Sequence, residues 1–154
     1  VITAFIWTGL KLVPYEQDDL DRLCKVYGPG DLVSVDVKKA RHLGHHRKHM
    51  ARFREAVERG CTLYGNRFNN VDAMRAFVYV CIGWADYYDM GPTRVPVPKS
   101  VNWSSVDQTA FEPVDQQCVL FLAENLVPPL ESITADADEL IARGVERILL
   151  KDAA

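Results

Sequence analysis

The chain has 154 residues, 48% of them hydrophobic and 25% charged, with a formal net charge of −3. That balance is that of a folded protein rather than a disordered one, and the length allows one domain with a real core. The longest apolar run, Phe77–Ala85, is about half what a membrane span needs. Val1–Trp7 has no preceding basic region, so it reads as a strand rather than a secretion signal.

In chain order, residues 2–7 and 11–13 read as two short strands around Thr8-Gly9. Tyr15–Tyr27 reads as a helix with an acidic start and an apolar stripe of Leu20, Leu23, Cys24 and Tyr27, ended by Gly28-Pro29-Gly30. Asp31–Lys38 alternates as a strand with Val33, Val35 and Val37 on its buried face. A second helix runs from Gly44 to Gly60. Leu43, Met50, Phe53 and Val57 form its apolar stripe, and His46 falls inside it. Lys48, Arg52, Arg59 and His45 are expected opposite, toward solvent. Cys61–Asn70 reads as a polar loop and Val71–Trp84 as the buried helix. Asp86–Val101 reads as irregular, with short strands at Arg94–Val97 and Ser100–Trp103 and with Pro96 and Pro98 at sheet edges. A long helix opens at Ser104–Asp107, carries Pro113 near its first turns and stops at Pro128-Pro129. Thr134 begins a last amphipathic segment. The expected fold is α+β: short antiparallel strands covered by three main helices, with residues 1–130 as one domain and 131–154 as a helical tail on the body or on a partner.

The chemistry concentrates in one place. All four histidines lie between His42 and His49, and Lys38–Arg59 holds eight Lys/Arg against two acids. The segment is +6 and the remainder is −9. Arginine forks suit phosphate oxygens, and exposed faces normally mix signs, so this pattern points to a polyanion site. The candidate contacts are Lys38, Lys39, Arg41, Arg47, Lys48 and Arg52. An acidic protein surface is the competing partner, and a solvated helix face is the ordinary alternative. Tyr64, Phe68, Tyr87, Tyr88 and Trp103 are candidates for base stacking.

His45 and His49 stand four apart, a spacing that lets two imidazoles share a metal ion. Three cations beside them would repel a dication, so no metal and no cofactor are expected. Neighbouring like charges are expected to keep the imidazoles neutral. A nuclease would need paired carboxylates, for which Asp86 and Asp89 with Asp31 or Asp36 are the available acids. The four cysteines form no C-x-x-C pair, which suits reduced thiols in a cytosolic compartment.

Two segments resemble a known family. Lys38-Lys39-Ala40-Arg41-x4-His46-Arg47-Lys48-x-Met50-Ala51-x-Phe53 is similar to the central motif of a phage and prophage protein family of unknown function, in which R-N-x-x-x-H-R-K-F-F-A-L-L opens a helix. Pro98-Lys99-Ser100-Val101-x-Trp103-x4-Gln108-x2-Phe111 resembles that family's K-S-I-S-F element. His42 stands where the family has Asn, and His49-Met50 replaces its double aromatic. The family more distantly resembles the lambda NinB (Orf) recombination proteins, which bind single-stranded DNA and assist phage recombination. The resemblance implies a cytoplasmic, phage- or prophage-encoded accessory protein that binds nucleic acid, single-stranded DNA first, with His46 orienting the neighbouring arginines. A protein-interaction module that inhibits a host enzyme or defence complex is the alternative, and a metal-dependent nuclease the third. The apolar faces of the later helices and of the tail point to a homodimer.

Overall fold

The computed structural model describes residues 5–35, 43–101 and 106–152. The fold is α+β. The chain divides into two compact units, residues 1–40 and 41–154. The boundary therefore lies before the second helix rather than at residue 130.

The first unit holds β1 (Phe5–Trp7), β2 (Leu12–Pro14) and α1 (Gln17–Val26). β1 and β2 pair antiparallel, with Ile6 opposite Val13. The buried residue of α1 is Asp19, which pairs with Arg22 one turn on. The expected apolar stripe is not covered: Leu20, Cys24 and Tyr27 are exposed. Asp31–Val35 has no regular structure, so the strand expected there is absent over those residues; residues 36–38 lie outside the described ones.

The second unit runs α2 (Leu43–Glu58), β3 (Thr62–Leu63), β4 (Asn66–Arg67), α3 (Val71–Cys81), β5 (Ala85–Met90), β6 (Thr93–Pro98), α4 (Gln108–Asn125), β7 (Leu126–Val127) and α5 (Glu131–Ala142). The polar loop expected at 61–70 is a tight hairpin. Tyr64 and Gly65 both take positive φ, 50° and 78°, which gives the twist that short hairpins prefer. Tyr64 tolerates this position because its ring packs edge-on against Phe77 and Phe121. β7 joins the other side of β3, with Leu63 opposite Leu126. The irregular stretch expected after Asp86 is a second hairpin, turned at Gly91-Pro92 with Gly91 at positive φ. Ser100 and Val101 are not in a strand, and Asn102 and Trp103 lie outside the described residues.

α4 is the buried helix, not α3. Phe111, Val114, Gln117, Cys118, Val119, Leu120, Phe121 and Leu122 are all buried, because α3 and α5 both pack on α4. α3 buries only Met74, Val78 and Tyr79. Asn70 caps α3 through the Ala73 N–H at 2.8 Å, and Asp107 caps α4 through the Ala110 N–H at 2.9 Å. Pro113 lies beyond the first turn of α4, but it and Thr109, whose carbonyl loses its helical partner, are both exposed to water. The core joins Phe53 and Ala56 of α2 to Leu63, Met74, Ile82, Phe111, Phe121 and Ile133.

The expected tail belongs to this unit. α5 buries Ile133 and Ala137. Beyond it, Gln117 fastens the chain to α4 by donating to the Glu146 carbonyl at 2.7 Å and accepting from the Ile148 N–H at 2.9 Å. The Leu150 N–H then donates to the Ile82 carbonyl at 2.9 Å. This last contact depends on Gly83, which has φ +84° and whose added Cβ would lie 2.9 Å from the Lys151 nitrogen. Gly83→Ala is therefore expected to cost about 1–3 kcal/mol and to raise amide exchange in residues 148–152, read by thermal unfolding and hydrogen exchange. Unchanged exchange there would mean the C-terminal segment is not held by this contact.

All four cysteines are free. Cys61 and Cys118 are buried, and burial pushes both thiols up, which leaves them as small apolar groups rather than nucleophiles.

Candidate functional site

The second unit's charged residues meet on α2. Its buried line is His49, Phe53 and Ala56, rotated by roughly 80° from the expected stripe at 100° per residue. Met50 and Val57 are half-buried at its border, and the Leu43 side chain lies outside the described residues. His49 rather than His46 is the core histidine. It lies edge-on to Phe53 and Phe111, with ring centroids 5.3 and 5.1 Å away.

Both nitrogens of His49 are engaged. Nδ1 is 2.8 Å from Asp115 Oδ1, and Nε2 is 2.8 Å from the Tyr79 hydroxyl. A carboxylate only accepts, so Nδ1 carries the proton and Nε2 accepts from Tyr79. Burial lowers the imidazole pKa, against the opposing pull of Asp115, while the positive charges of Arg52 and Arg75 lower it further. The expected resistance to protonation is thus present at this histidine, but burial leads it rather than like charge. With its ring nitrogens occupied by Asp115 and Tyr79, His49 does not form a metal pair with His45. His45 is exposed and lies 3.2 Å from Gln108 Nε2. His46 is half-buried against the Phe111 ring.

Arg52 corrects the expectation of a solvent-facing cation. Its side chain is only 11% exposed. One terminal nitrogen donates to Asp115 Oδ1 at 2.7 Å, and Nε and the other terminal nitrogen reach Asp136 Oδ2 at 3.1 and 3.0 Å. Lys48 Nζ holds the other oxygen of Asp136 at 2.8 Å but is 59% exposed. Burial alone would raise both carboxyls, yet hydrogen bonds and charge from His49 and Arg52 hold Asp115 below its ordinary value. Lys48 and Arg52 do the same for Asp136. Arg59 pairs with Glu55, which also accepts from Ser132. Of the residues expected to face water, His45, Lys48 and Arg59 are exposed, and Arg52 is instead drawn into a seam with Asp115 of α4 and Asp136 of α5.

The remaining outward face of α2 carries Gly44, Arg47, Ala51, Arg54 and Glu58, all exposed. Among the described residues Arg47 and Arg54 have no anionic partner. Lys38, Lys39, Arg41 and His42 lie outside the described residues.

A cleft of about 210 Å³ opens over the seam, floored by Arg52, Asp115 and Asp136 and rimmed by Lys48, Glu112, Glu139 and Arg143. Its acids outnumber its cations by four to three, so it does not favour a phosphate. Of the nuclease candidates, Asp86 and Asp89 do not converge, and Asp36 lies outside the described residues. Asp86 and Asp89 lie on opposite faces of β5 and face Lys99 and Arg94 respectively, while Asp31 accepts from the Gly28 N–H. No group of three His, Cys, Asp or Glu side chains among the described residues is placed to hold a metal ion.

Of the stacking candidates, Tyr64 and Tyr88 are exposed. Phe68 packs on Phe77, and Tyr87 lies half-buried under Arg94 and Lys151. Trp103 lies outside the described residues. No described helix is long and apolar enough to cross a membrane. No family model, curated protein or solved structure matches this chain.

Proposed function

We propose that this chain is a non-enzymatic phage- or prophage-type accessory protein that binds nucleic acid, single-stranded DNA first, through the outward face of α2. The observation that carries this reading is the exposure of Arg47 and Arg54 with no ion pair among the described residues, on a face whose one acid is Glu58, a turn beyond Arg54. They lie seven residues apart, on nearly the same bearing and about 10 Å along the helix axis. Lys38, Lys39 and Arg41 precede them in sequence and are further candidates for phosphate contact. Lys48 and Arg52 leave the contact set, because Asp136 and Asp115 already neutralise them. His46, against Phe111 at the base of the helix, supports rather than touches the polyanion.

A salt titration of oligonucleotide binding tests this. Two phosphate contacts on a single strand contribute a log–log slope of roughly −1.4, at about −0.7 each. Arg47→Ala with Arg54→Ala is expected to flatten the slope by that amount and to leave thermal unfolding unchanged. No binding at low salt, or an unchanged slope in the double variant, would overturn the reading.

A second reading has its own support. The first unit exposes Trp7, Leu10, Val26 and Leu32, with Leu10 at 93%. Large exposed apolar groups mark partner surfaces more often than nucleic-acid faces. A module that blocks a host enzyme or defence complex is the function they favour, and it predicts no oligonucleotide binding at any salt.

A further inference from the structure

α3 brings another guanidinium to the cationic face of α2. Arg75 Nη1 donates to the Met50 Sδ at 3.3 Å. Met50 stands three residues after Arg47 and four before Arg54, and residues so spaced are surface neighbours on a helix. Three arginines therefore gather round one half-buried thioether. The Arg75 guanidinium also lies over the Tyr79 ring, 5.9 Å from its centroid, which holds it where α3 meets α2.

Arg75 has an acid partner, but an exposed one. Its Nη2 donates to Asp72 Oδ1 at 2.8 Å, one turn back on α3. Asp72 is 80% exposed, so water screens the pair and the carboxylate loses little on release. The acids that neutralise Lys48 and Arg52 are placed differently. Asp136 and Asp115 are 19% and 20% exposed, and each accepts from two side chains in the seam. A phosphate can displace the first kind of carboxylate and not the second. Arginine carries five N–H groups in a planar fork, and the contacts with Met50 and Asp72 use two of them. With its side chain 28% exposed, Arg75 keeps donors for a phosphate oxygen.

We propose that Arg75 is a further phosphate contact of this face, that the bound strand passes from α2 across Met50 onto α3, and that Asp72 is a built-in competitor holding Arg75 until a phosphate displaces it. The proposal rests on the reading of Arg47 and Arg54 as phosphate contacts. A strand held at those two residues presents its next phosphate at high effective concentration, which favours the exchange of partners at Arg75.

Binding of a single-stranded oligothymidylate to the full chain across a salt series tests this. One phosphate contact adds about 0.7 to the log–log slope, or about fivefold in affinity between 1 M and 0.1 M salt. Arg75→Gln is expected to lose that slope and that affinity, with thermal unfolding checking the fold. Asp72→Asn changes an exposed side chain and is expected to tighten binding at 0.1 M salt by freeing Arg75. In the Arg75→Gln background the same change is expected to do little, because the two residues act as a pair. A carboxylate that merely repelled the strand from a distance would act equally in both backgrounds, and that result would overturn the proposal. The wild type gives a reading without any variant: the Asp72 carboxyl carbon resonance is expected to move when oligothymidylate is added. A resonance that stays in place while the strand binds, a folded Arg75→Gln variant with the wild-type slope, or an Asp72→Asn variant with the wild-type affinity would each also overturn it. If Arg47→Ala with Arg54→Ala flattens the slope while the changes at Arg75 and Asp72 do nothing, the contact on α2 stands and its extension onto α3 fails. No wild-type binding at low salt removes both.

Discussion

Replacing Asp115 with alanine is expected to lower the unfolding free energy by about 3 kcal/mol, at the lower end of the ~3–5 kcal/mol cost of breaking a buried ion pair from one side. Asp115 Oδ1 accepts from both the His49 ring and the Arg52 guanidinium. Its loss strands a buried imidazole N–H and removes one of the two anions that neutralise an arginine only 11% exposed. Asp136 still holds the other end of Arg52, which keeps the cost from the top of the range. Lys48→Ala provides the contrast on the same helix. Its ammonium also meets Asp136, but at 59% exposure water screens the pair, so the expected loss is below about 1 kcal/mol. Urea unfolding of both variants at neutral pH measures the difference. Equal losses would mean that Arg52 and Lys48 occupy equivalent, solvated positions, and the seam between α2, α4 and α5 would not be as described.

That contrast also explains how far the site could be read from residue order. The helix at α2 was legible to within a few residues, because Gly44 and Gly60 bracket it and Met50, Phe53 and Val57 share a period. The prolines of β6 were legible as edge residues for the reason the ladder bears out. The inward side of α2 was not. Arginine and histidine are normally assigned to water, and the residues that make burial of His49 and Arg52 favourable lie far along the chain: Tyr79 on α3, Asp115 on α4 and Asp136 on α5. A signal was present in those later helices. Asp115 follows Val114 and precedes the buried run Gln117–Leu122, and Asp136 precedes the buried Ala137. A carboxylate set beside an apolar stripe needs a cation from somewhere, and the segment with surplus cations is α2. The hairpins were missed for a local reason. Tyr64 is an unusual residue for positive φ, so Tyr64-Gly65 does not look like the Asn-Gly turns that announce a hairpin. Its aromatic packing supplies what the turn chemistry lacks.

His49→Ala is expected to be the other severe change, at about 3–5 kcal/mol, and to alter how stability depends on pH. Three losses coincide. A cavity opens between Phe53 and Phe111, the Tyr79 hydroxyl loses its acceptor, and Asp115 loses one of its donors. The pH effect follows from the lowered pKa. In the unfolded chain the imidazole titrates near 6.5, while in the fold burial leads it below that value. Between the two, the unfolded state binds a proton that the folded state refuses, so stability falls as pH falls, by up to about 1.4 kcal/mol per unit. Asp115 and Asp136 act lower on the scale. Their folded pKa values lie below 3.8, so their contribution is present above that pH and is lost as the solution is acidified through the folded values. The wild type should therefore lose stability in two stages, one beginning near pH 6.5 and one below about pH 3.8. His49→Ala should abolish the first and keep the second in reduced form, because Arg52 still faces Asp115. Urea midpoints collected from pH 8 down to about pH 2 read both stages directly. A wild-type midpoint that stays level between pH 7 and pH 5 would show that the imidazole is not held neutral between Asp115 and Tyr79. It would then have to carry its charge in the fold, as the partner of Asp115 in an ion pair.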